Sequence, residues 1–196
     1  MKKLEILSAL QPFVTALEKY SIPYYIGGSI ASSIYGMARA TMDIDIVADV
    51  KLYHISLLRQ ALEAAYYIDE DMIKNAIQNS SSFNLIHLET AVKIDVFVFK
   101  NIPYHRNAIE RKIKDTLEDD DIKTEFYFSS PEDIIISKLQ WYESGGKVSE
   151  RQWLDVIGVI KVQGDSLDKK YLQVWTKKIG IFELLRHAFN DAGIQL

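Results

Sequence analysis

The chain contains no cysteine at all. That absence removes disulfides, thiolate zinc sites and cysteine nucleophiles together, and with them the usual mark of oxidising export. An excess of positive charge is also missing. Lys and Arg number 23 against 27 Asp and Glu, a formal net charge of -4, so no global field draws in polyanions and nucleic-acid contact requires a local basic patch. No apolar run approaches the length of a membrane span, and Glu5, Gln11 and Glu18 interrupt the apolar stretch that a signal peptide needs. A cytoplasmic protein with no membrane partner is therefore expected. The four histidines, His54, His87, His105 and His187, are too scattered to form a metal-spaced set. Internal repeats are lacking, as is any long polar linker.

What is present is an ordinary globular composition, 48% hydrophobic and 26% charged over 196 residues. That length suffices for one good core, or one core with a helical appendage. Leu4, Leu7, Leu10, Val14 and Leu17 recur at helical spacing and predict a helix over 4–20 that Pro23 stops. Tyr24-Tyr25-Ile26 then reads as a short buried strand, broken by Gly27-Gly28. Ser29 is the expected N-cap of a short helix ended by Gly36. Strands are expected over 43–47, 83–88, 91–99 and 122–128, and helices over 51–66 and 106–117. The acidic run Glu118 to Asp121 reads as a solvated turn, and Trp141, Trp153 and Trp175 as packing residues. From Ser130 the pattern turns helical. Ser130-Pro131-Glu132-Asp133, Ser149-Glu150-Arg151-Gln152 and Asp168 each open a helix, and Gly180 precedes a last one. The expected architecture is α/β (α+β): a mixed β-sheet core over 1–128, flanked by helices, followed by a helical part over 129–196.

The chemistry concentrates in two segments. In Asp43-Ile44-Asp45 the acids project from one face of a strand while Ile44 and Ile46 enter the core, and the acids' Cα atoms lie roughly 6.6 Å apart. In Lys93-Ile94-Asp95-Val96-Phe97 a lone carboxylate interrupts an apolar strand, a costly placement unless something pairs with it. If the two strands are neighbours with these faces aligned, Asp43, Asp45 and Asp95 converge. Their repulsion is relieved by a hard cation, for which Mg²⁺ is the natural candidate and Mn²⁺ a substitute. A salt bridge of Asp95 with Lys93 or Arg39 is the structural alternative. Upstream, strand, glycine turn and helix start aim backbone N–H groups at an anion, so Gly27, Gly28 and Ser29 are candidate phosphate ligands. Arg39 is placed either to bind phosphate or to pair with the acids, and Thr41 to fix the turn before the strand. Arg151 and Asp155 have the spacing of an i,i+4 ion pair.

Gly27-Gly28-Ser29, Arg39 to Asp45 and Lys93 to Val96, taken in this order, resemble the signature of the DNA-polymerase-β-like nucleotidyltransferase superfamily. Within it the chain is most similar to small prokaryotic nucleotidyltransferases related to AbiEii-type toxins. The segment Ser130 to Leu139 resembles a further motif of that group, and Arg151 with Asp155 the helix after it. The resemblance implies a nucleotidyltransferase-type fold in which Asp43, Asp45 and Asp95 are metal ligands and catalytic. It implies nucleotide binding by Gly27, Gly28, Ser29, Arg39, Thr41 and Lys138, although Lys138 snorkelling over apolar surface is an equal alternative. The implied activity is transfer of an NMP group from a nucleoside triphosphate to a hydroxyl of tRNA, protein or a small molecule, with release of pyrophosphate. The rival expectation is a non-catalytic nucleotide-binding module, or a component of a toxin–antitoxin system with a cognate antitoxin as partner.

Overall fold

The structure, a computed structural model, describes residues 3–39, 41, 43–119 and 122–196. Ala40 and Met42 of the Arg39–Asp45 motif, and Asp120 and Asp121 of the acidic run, lie outside the described residues. In chain order the elements begin α1 (Lys3–Lys19), β1 (Tyr24–Ile26), α2 (Gly28–Tyr35), β2 (Asp43–Ala48), α3 (Ile55–Leu62), β3 (Tyr66–Tyr67) and α4 (Glu70–Asn79). They continue with β4 (Ser82–His87), β5 (Lys93–Val98), α5 (Pro103–Glu110), β6 (Ile113–Asp119) and β7 (Ile122–Phe128). Last come α6 (Pro131–Ser144), α7 (Glu150–Gln163), α8 (Lys169–Ile179) and α9 (Phe182–Ala192). Among the described residues no helix is long and apolar enough to cross a membrane.

The chain divides into two compact units. The first comprises Met1–Gly27 with Ala40–Phe128, and the second Gly28–Arg39 with Ser129–Leu196. In the first unit a seven-stranded mixed sheet runs in the order β3-β4-β5-β2-β1-β7-β6. Helices α1, α3, α4 and α5 belong to the same unit. The central strands β2 and β5 are parallel neighbours, while β1 pairs with β2 and β4 with β5 in antiparallel sense. Period-two burial explains these strands: Ile44, Ile46, Ile94, Val96, Phe83 and Leu85 enter the core while the residues between them face outward. Tyr66, buried on β3, donates its hydroxyl to the Ala9 carbonyl at 2.6 Å and accepts from the Phe13 amide at 3.2 Å, fastening α1 to the sheet's edge strand.

Three sequence expectations fail in this unit. The stretch 51–66 is not one helix. A 3₁₀ turn over Leu52–His54 leads into α3, and Tyr66 is drawn off into β3 by its pairing with His87. The expected helix over 106–117 is displaced toward the N-terminus. Pro103 starts α5 at the first helical position, and Ile113 to Asp119 pair along their whole length with β7. Thr116 and Leu117 are thereby strand residues, and Glu118 and Asp119 continue β6 instead of forming a turn. Helix α4, capped by Asp69 accepting from the Met72 amide at 3.0 Å, has no counterpart in the sequence expectations.

The second unit packs α2 with α6, α7, α8 and α9. The side chains of Ser130, Ser149 and Asp168 cap α6, α7 and α8, each accepting the backbone N–H three residues on, as expected. Ser29 does not cap α2. The turn is made one residue earlier, where Gly28 takes φ +55°, so Ser29 sits inside the first turn. Helices α2 and α7 meet at Gly36, where an added Cβ would stand 2.8 Å from the Ser32 carbonyl oxygen and 2.9 Å from the Val159 amide nitrogen. Gln163 secures the same junction by donating to the Tyr35 carbonyl at 2.8 Å. The tryptophans pack less than expected. Trp141 is 58% exposed, while Trp153 is half-buried and stacks on Tyr142 with ring centres 5.0 Å apart.

Candidate active site

The carboxylate face of the first unit follows from register. Parallel pairing sets Asp43 opposite Lys93 and Asp45 opposite Asp95, and on the other side of β5 Asn84 stands opposite Asp95. Because the inward residues Ile44, Ile46, Ile94 and Val96 are buried, Asp43, Asp45, Lys93 and Asp95 share the opposite face. Asp43 is exposed, whereas Asp45 and Asp95 are half-buried. The Gly27 amide donates to the Asp45 carbonyl at 2.9 Å, which ties the glycine turn to the strand that carries the acids. Thr41 donates to the Asp43 carbonyl at 3.1 Å.

Lys93 stands among these acids. Its Nζ lies 2.8 Å from Asp95 Oδ2 and 3.6 Å from Asp43 Oδ1. The hydrogen bond to Asp95, with the negative charge of both acids, holds the Lys93 ammonium above the usual lysine range. The donor set suits a hard divalent cation, being carboxylate oxygen throughout. As the side chains stand, however, no group of three or more His, Cys, Asp or Glu among the described residues is gathered closely enough to hold a metal. The positive charge between Asp43 and Asp95 is the lysine's.

The glycine turn carries its own information. An added Cβ at Gly27 would meet only Tyr25 Cε2, at 4.0 Å, and Gly27 does not adopt a positive φ. Among the described residues, neither packing nor a positive φ demands glycine there.

In the second unit Ser29, Arg39, Lys138 and Asp155 form one network. Arg39 donates from Nε to Asp155 Oδ1 at 2.8 Å, and from Nη2 to Asp155 Oδ2 at 2.9 Å and to Ser29 Oγ at 2.6 Å. Lys138, buried, donates to Asp155 Oδ2 at 2.7 Å and to Gln152 Oε1 at 3.2 Å. Burial alone would push the Asp155 carboxyl up, but hydrogen bonds from Arg39 and Lys138, reinforced by their charges, hold it below the usual aspartate value. Two sequence expectations are corrected here. Lys138 does not snorkel over apolar surface but is an ion-paired core residue, because Asp155 lies within its reach. Asp155 is paired to Arg39 and Lys138, its ion-pair partners among the described residues, and not to Arg151 one turn away.

The sequence thus gave no sign of the Arg39–Asp155 contact, which spans 116 positions, or of Gln152 as a partner of Lys138. Asn84 beside Asp95 was equally hidden, since only strand register reveals it. Among the histidines, His87 is buried with Nδ1 2.8 Å from Thr90 Oγ1, a structural placement.

No protein-family model matches the chain, and no curated protein matches it. Solved structures do. The antibiotic-resistance factor ANT(2'')-Ia aligns over 95% of this chain and 99% of its own at 12% identity, with a TM-score of 0.55. A second structure of it, in complex with adenylyl-2''-tobramycin, covers 88% of this chain and 97% of its own at 13% identity and a TM-score of 0.54. An antigenic nucleotidyltransferase-like protein from Paracoccidioides brasiliensis covers 81% of this chain and 74% of its own at 18% identity and a TM-score of 0.50. At such identities the likeness is one of fold: a seven-stranded mixed sheet flanked by helices, of the kind nucleotidyltransferases possess.

Proposed function

We propose that this protein is a metal-dependent nucleotidyltransferase, moving an NMP group from a nucleoside triphosphate to an acceptor hydroxyl with release of pyrophosphate. The observation that carries this reading is the register of β2 and β5, which makes Asp45 and Asp95 direct neighbours with Asp43 on the same face. The shared fold adds to it, as does the complex of ANT(2'')-Ia with an adenylylated small molecule.

In this reading Asp43, Asp45 and Asp95 hold Mg²⁺ or Mn²⁺, which supplies charge neutralisation at the transferring phosphate. Asp95 also orients the acceptor hydroxyl and takes up its proton as the oxygen attacks the α-phosphorus. The bond from that phosphorus to the bridging oxygen of the β-phosphate breaks, and pyrophosphate leaves with the electron pair. Gly27 and Gly28 leave the backbone open to the triphosphate. Ser29 and the first-turn N–H groups of α2 are hydrogen-bond donors suited to phosphate oxygens, and Arg39 supplies positive charge, while buried Lys138 is engaged by Asp155. A small-molecule hydroxyl is the acceptor that the ANT(2'')-Ia likeness favours, with tRNA and protein as the alternatives. A second reading, a nucleotide-binding module without turnover, draws on Lys93, whose ammonium already balances two of the acids.

The deciding experiment incubates the protein with Mg²⁺ or Mn²⁺, each α-labelled nucleoside triphosphate and cell extract, and follows labelled product and pyrophosphate together. Labelled product that disappears in Asp45→Asn supports the transferase. Nucleotide binding without product supports the module. No product and no metal-enhanced nucleotide binding sinks both.

A further inference from the structure

The sheet register places one basic residue in the row of acids. Lys93 is opposite Asp43 on β2, and two residues before Asp95 on its own strand, so strand alternation puts all of these side chains on one face. Its other cross-strand partner is Ile86 on β4, which offers no charge, and the residue beside Asp95 on β4 is the neutral Asn84. Lys93 Nζ accordingly divides itself between Asp95 Oδ2 at 2.8 Å and Asp43 Oδ1 at 3.6 Å. Nothing in the packing obliges a cation here. The Lys93 side chain is 41% exposed, and a neutral residue of similar length would occupy the same strand position.

We propose that Lys93 is a tethered counter-ion of the acidic face that competes with the divalent cation for Asp43 and Asp95. This rests on the reading of those acids as metal ligands. The physical argument is one of charge. Carboxylates carried on one face of adjacent strands repel, and an ammonium on a flexible four-carbon stem relieves that repulsion when no metal is bound. A divalent ion entering the same face has to break the Lys93 contacts and then meets a like charge beside it. Lys93 therefore weakens metal binding while stabilising the metal-free protein. The device keeps the acids folded in place without committing them to a resident ion.

The test measures Mn²⁺ binding to the full chain by titration calorimetry, with the unbound Mn²⁺ signal in paramagnetic resonance as a second readout. Two contacts of the exposed ion-pair class are lost in Lys93→Gln, so it is expected to bind Mn²⁺ roughly three- to tenfold more tightly than the wild type. In chelator the same variant is expected to melt at a lower temperature than the wild type, and to recover more on adding Mn²⁺. Lys93→Arg keeps the charge and is expected to stay within about twofold of the wild type. It carries the comparison through charge-retaining packing if Lys93→Gln proves unstable, since a purely steric role predicts a change with arginine and a charge role does not. Wild-type binding that is lost in Asp45→Asn, with Lys93→Gln equal to or weaker than wild type, overturns the counter-ion role alone. Wild-type binding that is absent, or unaffected by Asp45→Asn, overturns the metal reading and the counter-ion role with it.

Discussion

Arg39 grips Asp155 with two nitrogens, at 2.8 and 2.9 Å, and the second of them, Nη2, also donates to Ser29 Oγ at 2.6 Å. The guanidinium fork matches a carboxylate edge to edge, which a lysine cannot do. Lys138 takes one of the same carboxylate oxygens, so the Asp155 carboxylate meets both cations, and both Lys138 and Asp155 have side chains only 5% exposed.

Removing that negative charge has a definite cost. Asp155→Asn removes a carboxylate bound by the buried Lys138 ammonium and is expected to destabilise the protein by about 3–5 kcal/mol. Chemical denaturation of the variant against the wild type measures it. Arg151→Ala, by contrast, removes an exposed residue that is no partner of Asp155 and is expected to change stability by less than about 0.5 kcal/mol.

The same carboxylate sets an acid dependence. Its folded-state value lies below the ordinary 3.8, so folded Asp155 stays ionised where the unfolded chain has begun to take up a proton. Its contribution is therefore complete above 3.8 and is lost as the pH falls below that figure through the lower folded-state value. Melting temperatures recorded from neutral pH to below 3.8 are expected to fall more steeply for the wild type than for Asp155→Asn.

Gly27 separates binding from stability. Since an added Cβ meets nothing closer than 4.0 Å, Gly27→Ala is expected to fold at least as stably as the wild type, with a gain of up to about 1 kcal/mol. Nucleotide affinity measured in the presence of Mg²⁺ is expected to fall, because the new methyl occupies the approach to the backbone. Retained affinity would remove Gly27 from the nucleotide site.

Gly36 is the converse case. A methyl there collides with backbone on both sides, the Ser32 carbonyl at 2.8 Å and the Val159 amide at 2.9 Å, and backbone does not yield easily. Gly36→Ala is expected to cost about 1–3 kcal/mol through forced separation of α2 from α7, readable as a lower denaturation midpoint.

For turnover the decisive variant is Asp95→Ala. In the proposed mechanism this variant loses charge stabilisation at the transferring phosphate and a proton acceptor, and it is expected to lower the rate of nucleotidyl transfer on the order of a hundredfold or more. Full turnover in this variant would dismiss Asp95 from the reaction.

How much of this was legible in the chain depends on whether a feature is local. Alternation alone put Ile44 and Ile94 inward and the acids outward, and side-chain caps at Ser130, Ser149 and Asp168 announced three helices. The parallel register that joins Asp45 to Asp95 is set by pairing across the sheet, which no single strand encodes. Residues 113–117 misled because an apolar spacing compatible with a helix was overridden by a full-length ladder with β7. Helix α4 passed unseen because Ile73 and Ala76 are its only buried residues, too few to draw a stripe. Asp155 had a plausible partner at Arg151 in its own helix, and those it found, Arg39 and Lys138, lie 116 and 17 residues earlier.

The threading of the helical unit has a practical consequence. That unit borrows Gly28–Arg39 from the middle of the other unit's sequence, and Gly36 of this loan presses against Val159. A protease nick or a truncation ahead of Ser129 would leave α2 on the wrong fragment and strip α7 of the surface it was shaped around. Halves expressed separately should each emerge incomplete, so the protein is to be handled, dissected and swapped between hosts only as an uninterrupted polypeptide.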